Sequence, residues 1–535
     1  MSITRRDFLK VGASAATLAA AASAPRPLLA QLGAGRAEPV PPIEDPRLEG
    51  LAARALEAAK GAGAAYADVR LTHDWTRTIS VDGVGDSEVV TAGARAWVDG
   101  RWGFASGPVW SPDEMARLGR EAVLQAKANA LRTRRPVELA PVIAVPKGHW
   151  VMPVEIDPFE ITPFEVIDYL TSLQVFVSRT PGAVVRANRA VFTKQEKAFA
   201  STAGSYLTQR TYLSMGMFAF ALRWNGVEDT TQLDCLSPAG LGWELYRGQR
   251  LHDRIREAMD DFRFDAQLPV RPVEIGRYDA VFSAGSMAAL LHETLGAATE
   301  LDRALGYEAN AGGTSYLNDP LAMLGSYQAA APVVTITANR SEPGGAATVQ
   351  WDDDGVAPDA FTLVKDGTLA DFQTTRDSTA QLARYYGASA KPLPSHGCAH
   401  APNASDAPLS RVPNLALAPG AESLDFDALV ARLSTGVAVK RAQFDMDFQR
   451  SSGYGLGRIY QVKNGKRVAL FATAGMLFRS PDLWKRVRAV GGAAAARRFG
   501  LASVKGEPPQ MSYASVTAPP ALLEQLTIID PSRRA

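Results

Sequence analysis

Cysteine is almost missing from this chain: Cys235 and Cys398 are the two cysteines among 535 residues. Two thiols can pair in an oxidising compartment, but they exclude a disulfide framework as the source of stability. An excess of one charge is missing as well. Lys and Arg number 57 against 56 Asp and Glu, a formal net charge of +1. No basic stripe with interleaved aromatics occurs, so nucleic acid is not an expected partner. Beyond the N-terminal segment no apolar run is long enough to cross a bilayer. His73, His149 and His252 stand without partners in sequence and read as surface or boundary residues. Gly453-Tyr454-Gly455-Leu456-Gly457 is not followed by a P-loop lysine and precedes a strand, which argues against a nucleotide site.

What the chain does have is length enough for two or three cores, at roughly 100–200 residues each. Its 46% hydrophobic content, 45 Gly and 34 Pro fit a globular protein with many turns. Thr4-Arg5-Arg6-Asp7-Phe8-Leu9-Lys10, followed by the small-residue apolar run Val11–Ala24, reads as a twin-arginine signal peptide over residues 1–37. No cysteine follows that run, so no lipid anchor is expected. The reading implies a periplasmic or secreted protein with no stable membrane anchor.

The remaining chain reads as α+β. Residues 38–140 form a first α+β domain: a helix over Arg47–Gly61, strands around Ala65–Leu71, Thr78–Val81 and Ala94–Val98, and a helix capped by Ser111-Pro112-Asp113-Glu114. Asp82-Gly83 and Asp99-Gly100 supply hairpin turns, since both dipeptides tolerate positive φ. Residues 141–270 hold a central region with a helix over Pro163–Arg179, period-two strands from Gly182 to Trp224, and an amphipathic helix over Leu241–Phe262. Residues 271–535 form a strand-rich C-terminal domain, with a last helix expected over Pro481–Val490.

The chemistry concentrates in Leu290–Asp302. An apolar helix, Met287–Leu291, leads into His292 and Glu293 side by side. Zinc peptidases present a metal ligand and a general base in this way, the imidazole holding the metal and the carboxylate taking a proton from metal-bound water. A second histidine on the next turn is absent, for Gly296 stands at i+4 and Ala297 at i+5. On a continuous helix Glu300 at i+8 lies within about 80° of His292 and offers a weak oxygen ligand. The alternatives stay open: a capped core helix with one satisfied histidine, and an ion pair between Glu300 and Arg303.

These residues extend into a wider pattern. Leu291-His292-Glu293, Gly296, Glu300 and Asp302 resemble the His-Glu-x-x-Gly-His-x-x-Glu-x-Asp core of the TldD/PmbA metalloproteases, also called modulators of DNA gyrase. Ala65-Asp68-Val69-Arg70 and Asp99–Ser106 are similar to that family's first domain. Trp351-Asp352-Asp353-Asp354-Gly355 resembles its acidic turn. Thr375–Ser378 and Pro408–Leu415 with Pro419-Gly420 follow in the family's order. The resemblance covers most of the mature chain. It implies a zinc peptidase acting on flexible or unfolded peptides within a closed dimer, a homodimer or a heterodimer with another family member. It also implies His292 as zinc ligand, Glu293 as general base, and Asp302 with Glu300 as support. The family's peptidase subunit carries a cysteine ligand near the C-terminus, where this chain has Ala502-Ser503-Val504-Lys505-Gly506. Alanine has no donor and neutral serine is a poor one, so the zinc site is incomplete.

Ser395-His396-Gly397-Cys398-Ala399-His400 offers a second donor set. In an extended segment His396, Cys398 and His400 project from one face, as a zinc or copper claw. A polar loop is the alternative reading. Asp352-Asp353-Asp354 can bind a hard cation or form a plain acidic turn. Three functions follow: a metallopeptidase, a catalytically inactive partner subunit or peptide-binding scaffold, and a periplasmic metal carrier.

Overall fold

A computed structural model describes residues 40–131, 136–224, 226–383 and 395–532. Contacts divide the chain into Met1–Pro41 and Pro42–Ala535. The first unit is almost wholly outside the described residues, and the twin-arginine segment lies there.

The second unit begins with a seven-stranded sheet. Its strands run in the order 101–107, 83–98, 66–80, 183–201, 206–224 and 148–151, with 227–232 beside 206–224. Strand 66–80 pairs with 83–98 on one side and with 183–201 on the other. Residues 38–140 and 141–270 therefore share one sheet, because the hairpin of the central region completes the edge left by the first. The Asp99-Gly100 turn forms as the dipeptide suggests, with φ of 49° and 76°, whereas the first hairpin turns one residue earlier, at Val81-Asp82, because Gly83 already pairs with Ser80.

Strand alternation gives this sheet two different faces. Ala67, Val69, Leu71, Ala92, Ala94, Ala96, Ala198 and Ala200 point to one side, where helices 47–61 and 112–130 cover them with Leu48, Ala55, Met115 and Leu118. Farther along the same strands, Ile79, Ala190, Phe192, Phe218 and Phe220 meet helices 163–178 and 251–267. The opposite face carries Asp68, Arg70, Thr72, Arg95, Lys197 and Gln209, all buried. Polar residues at this depth need partners, and the C-terminal domain supplies them.

That domain contains an eight-stranded sheet built around 276–282, 435–446, 452–463 and 521–529, and a six-stranded sheet built around 336–339, 415–417, 497–505 and 510–518. Helix Ala284–Leu291 touches both. Its Met287, Ala288, Leu290 and Leu291 are all 0% exposed, as expected for a helix apolar on every side.

Two expected elements differ. The helix expected over Pro481–Val490 is one turn, Ser480–Leu483, followed by a 3₁₀ turn and strand Val487–Val490, which pairs with 521–523. β-branched Val487 and Val490 both bury against the sheet, and tertiary pairing overrides the helical spacing. The helix expected over Leu241–Phe262 splits at Arg250, which adopts φ 49° between Glu244–Arg247 and Leu251–Gln267.

Candidate functional site

Helix 284–291 is capped by Ser283, whose hydroxyl accepts from Ser286 N. It does not continue as an α-helix. His292–Gly296 is a π-turn, and the Ala297 amide donates to His292 O. The Thr294 hydroxyl donates to Leu290 O and accepts 2.8 Å from Trp484 Nε1. Side-chain competition for a backbone carbonyl loosens the ordinary ladder. A π-turn brings residue i+5 beneath residue i, and such turns occur often at functional sites. Here it makes Ala297, which has no donor, the residue one π-turn on from His292.

His292 is 2% exposed. Its Nδ1 lies 3.0 Å from Glu293 Oε1, while its Nε2 is buried and has no hydrogen-bond partner among the described residues. Glu293 Oε2 accepts from Arg450 Nη1 at 3.0 Å. Burial would raise the Glu293 carboxyl, but the hydrogen bond to His292 and the charges of His292 and Arg450 outweigh it and hold the group below its ordinary value.

Beyond Ala297 the chain leaves the helix. Glu300 has ψ 116°, forms a parallel bridge with Gln373, and caps the short turn Leu301–Ala304. The expected i+8 alignment with His292 is lost for this reason. Glu300 is ion-paired instead, 3.0 Å from Arg303 and 3.4 Å from Lys505. Asp302 binds Lys505 through both oxygens at 2.8 Å, and Lys505 also donates to Ser410 O. Burial would raise the Glu300 carboxyl, yet Lys505 and then Arg303 hold it below its ordinary value. Ser503 is not free either: Arg411 donates to its carbonyl at 2.7 Å and to its hydroxyl at 2.8 Å.

The second donor set separates. Gly397 takes φ +68°, which breaks the extended run that would have put three side chains on one face. His396 lies flat on Phe361, with ring centroids 3.8 Å apart, between Asp359 and Asp371. Burial opposes its charge, but the hydrogen bonds to those acids raise the imidazole to about 9. Cys398 is fully buried, and burial pushes its thiol up to about 12. Burial lowers His400 to about 4, although its Nδ1 sits 3.5 Å from Asp353 Oδ2. A neutral thiol, a charged imidazole and a separated neutral one do not make a claw.

The acidic turn 352–354 joins the halves. Asp353 accepts from Lys197 at 2.7 Å and lies 3.5 Å from Arg70, and Arg95 bridges Asp68 and Asp354 at 2.7 and 2.8 Å. Loop 402–406 docks beside it: the Ala404 amide donates to Thr72 and Thr91. A Cβ on Gly93 would lie 1.9 Å from Ala404 O, so only glycine admits this approach.

The C-terminal domain thus presents a buried helix, a π-turn and an acidic pair on the matching order of motifs. The family model for the PmbA/TldA metallopeptidase C-terminal domain matches residues 275–530, and that for PmbA/TldA metallopeptidase domain 1 matches residues 67–128. The chain belongs to the TldD/PmbA family. No curated protein matches it. Three solved structures share its fold. A protein described as a modulator of DNA gyrase from Bacteroides thetaiotaomicron is 13% identical with a TM-score of 0.65, over 91% of this chain and 99% of that one. Another so described, from Thermotoga maritima, is 16% identical with a TM-score of 0.65, over 90% and 100%. TldE from Thermococcus kodakarensis is 14% identical with a TM-score of 0.62, over 90% and 99%.

A metallopeptidase family implies a metal, and the donors of this TldD/PmbA chain do not fit one. His292 offers an Nε2 without a partner among the described residues, but Ala297, one π-turn on, has no donor. Glu293, Glu300 and Asp302 are each held by a cation of the protein itself. Among the described residues no group of three or more His, Cys, Asp or Glu is disposed to hold a metal ion. Sequence reasoning named Glu300 and Asp302 but not Arg450 or the roles of Lys505 and Arg411. Lys505 carried a signal, since a lone lysine ends the period-two strand Arg497–Lys505 at a buried position.

Proposed function

We propose that this chain is a non-hydrolysing member of the TldD/PmbA family that binds flexible peptides and serves as a partner subunit. One observation carries the reading: the Lys505 ammonium lies 2.8 Å from both oxygens of Asp302 and 3.4 Å from Glu300. Lys505 and Arg303 together balance Glu300 and Asp302, so these two acids keep no net charge with which to hold a divalent ion. Glu293 is committed in a similar way to Arg450, so it is a poor base in the resting state. The family's description as a metallopeptidase supports peptide as the ligand class. The pairing, with a second copy or another family member, and export through the twin-arginine signal at residues 1–37, belong to the same proposal.

The second reading, a metallopeptidase with an incomplete zinc site, is favoured by one feature. His292 Nε2 is buried with no partner among the described residues, as a ligand nitrogen awaiting its metal would be. Two measurements on the purified full chain decide between them: metal content by elemental analysis, and hydrolysis of an unstructured peptide with and without chelator. The expected result is no stoichiometric metal and no chelator-sensitive cleavage. Bound zinc together with cleavage abolished by chelator and by Glu293→Gln would overturn the proposal.

A further inference from the structure

Where Arg95 of the N-terminal sheet faces the C-terminal domain there is a cavity of about 210 Å³, whose walls include Asp302, Tyr307, Glu308, Asp354, Asp377 and Ser410. Ligand pockets for drug-sized molecules run from about 300 Å³ upward, so this one suits a single side chain. Its charges are unevenly paired. Asp302 is held by Lys505, and Asp354 by Arg95. Glu308 is 8% exposed, and among the described residues its carboxylate makes no hydrogen bond or ion pair. Asp377 accepts from the Thr375 hydroxyl and, among the described residues, from no cation. The nearby guanidinium groups are engaged elsewhere, Arg303 with Glu300 and Arg411 with Ser503 and Ser512. An independent observation points the same way. Ser410 is 2% exposed, and its buried hydroxyl has no hydrogen-bond partner among the described residues.

Unpaired carboxylates in an enclosed space are costly unless a cation enters. Burial raises Glu308 above its ordinary value, and burial followed by the charge of Asp354 raises Asp377 to about 6. Tyr307 is 46% exposed and supplies an aromatic face for a cation. Ala399, Pro408 and Leu409 supply an apolar wall. A charged head on an aliphatic stem matches both kinds of surface.

We infer that this cavity is a recognition pocket for an alkylammonium, the side chain of a lysine in a bound peptide. The ammonium pairs with Glu308 and Asp377 and donates to the Ser410 hydroxyl, and its stem lies along Leu409 and Pro408. The inference rests on the peptide-binding reading above and adds the residue that is selected.

The test uses the full chain and two fluorescein-labelled, N-acetylated Gly-Ser decapeptides, one with a central lysine and one with norleucine, measured by fluorescence anisotropy. The lysine peptide is expected to bind about tenfold more tightly or better, the discrimination of one partly desolvated ion pair. Glu308→Gln with Asp377→Asn should make the two peptides equal without lowering the melting temperature, since neither carboxylate has a cation among the described residues and the amide oxygen left by Asp377→Asn still accepts from Thr375. As a check that needs no variant, n-butylammonium chloride should displace the lysine peptide from the unaltered chain where sodium chloride of equal ionic strength does not. Competition by n-butylammonium with no preference between the peptides would mean a free-amine site and would overturn the peptide lysine. Equal binding of both peptides without such competition overturns the pocket and leaves peptide binding standing. Binding of neither peptide overturns both.

Discussion

Lys505 Nζ lies 2.8 Å from each carboxylate oxygen of Asp302, with both residues buried. A buried pair in this geometry contributes little net stability when formed, because desolvation offsets attraction, but removing one partner strands the other. Lys505→Met should therefore destabilise the fold by about 3–5 kcal/mol near pH 7. Adding Asp302→Asn should restore a large part of that loss, since Glu300 keeps Arg303. Urea unfolding of the single and double variants reads the difference. Additive losses would mean that the two groups do not act as a pair.

Asp353 plays the corresponding part between the halves of the molecule, accepting from Lys197 at 2.7 Å and facing Arg70 at 3.5 Å. Asp353→Ala leaves two cations in a closed interface. The expected cost is about 3–5 kcal/mol. The loss should also appear as faster proteolysis in the connector around 136–146, since the acidic turn and loop 402–406 dock the two regions. A loss of stability with unchanged proteolysis there would confine the effect of Asp353 to its own turn.

Two histidines give stability opposite pH slopes. His396 has a folded value of about 9, above the ordinary value of about 6.5. Its contribution is complete below about 6.5 and is lost as pH rises to about 9. Asp359 is exposed, so screening limits the effect to about 1 kcal/mol or less. His400 has a folded value of about 4, below the ordinary one. The unfolded chain takes up its proton first, so stability falls as pH drops from about 6.5 toward 4. His396→Gln should flatten the alkaline limb of a melting-temperature profile, and His400→Gln the acid limb. An acid limb unchanged in His400→Gln would assign that slope to other groups.

How much of this was legible beforehand depends on the range of the interaction. The hairpin at Asp99-Gly100 and the Ser111 cap are local, and their residues announce them, whereas strand 66–80 reads from sequence as two pieces, 65–71 and 78–81. The family motifs are contiguous, so the likeness was visible too. The π-turn was not, because its cause is a threonine hydroxyl competing for Leu290 O and a tryptophan nearly two hundred residues away, Trp484. The fate of Glu300 was hidden for the same reason. Sequence spacing assumed a continuous helix, whereas pairing with Gln373 pulls the chain out of it. His396, Cys398 and His400 were read on the assumption of an extended backbone, and one glycine at φ +68° removes it.

Ala297 offers the most direct test of the π-turn. Its amide donates to His292 O, which makes residues 292 and 297 neighbours across the π-turn. In Ala297→His two imidazoles on adjoining turns are expected to bind zinc weakly. The position is 6% exposed, so the larger ring should cost about 1–3 kcal/mol without metal. Zinc should then recover stability by mass action, about 2.7 kcal/mol at a hundredfold excess over its dissociation constant. In melting curves the variant should start below the unaltered chain in chelator and rise with added zinc, while the unaltered chain does not move. Ala297→His combined with His292→Ala should lose the response, since one ligand remains. Should zinc shift the unaltered chain as far as the variant, the metal sits elsewhere, and the pairing of residues 292 and 297 through the π-turn is not what controls it.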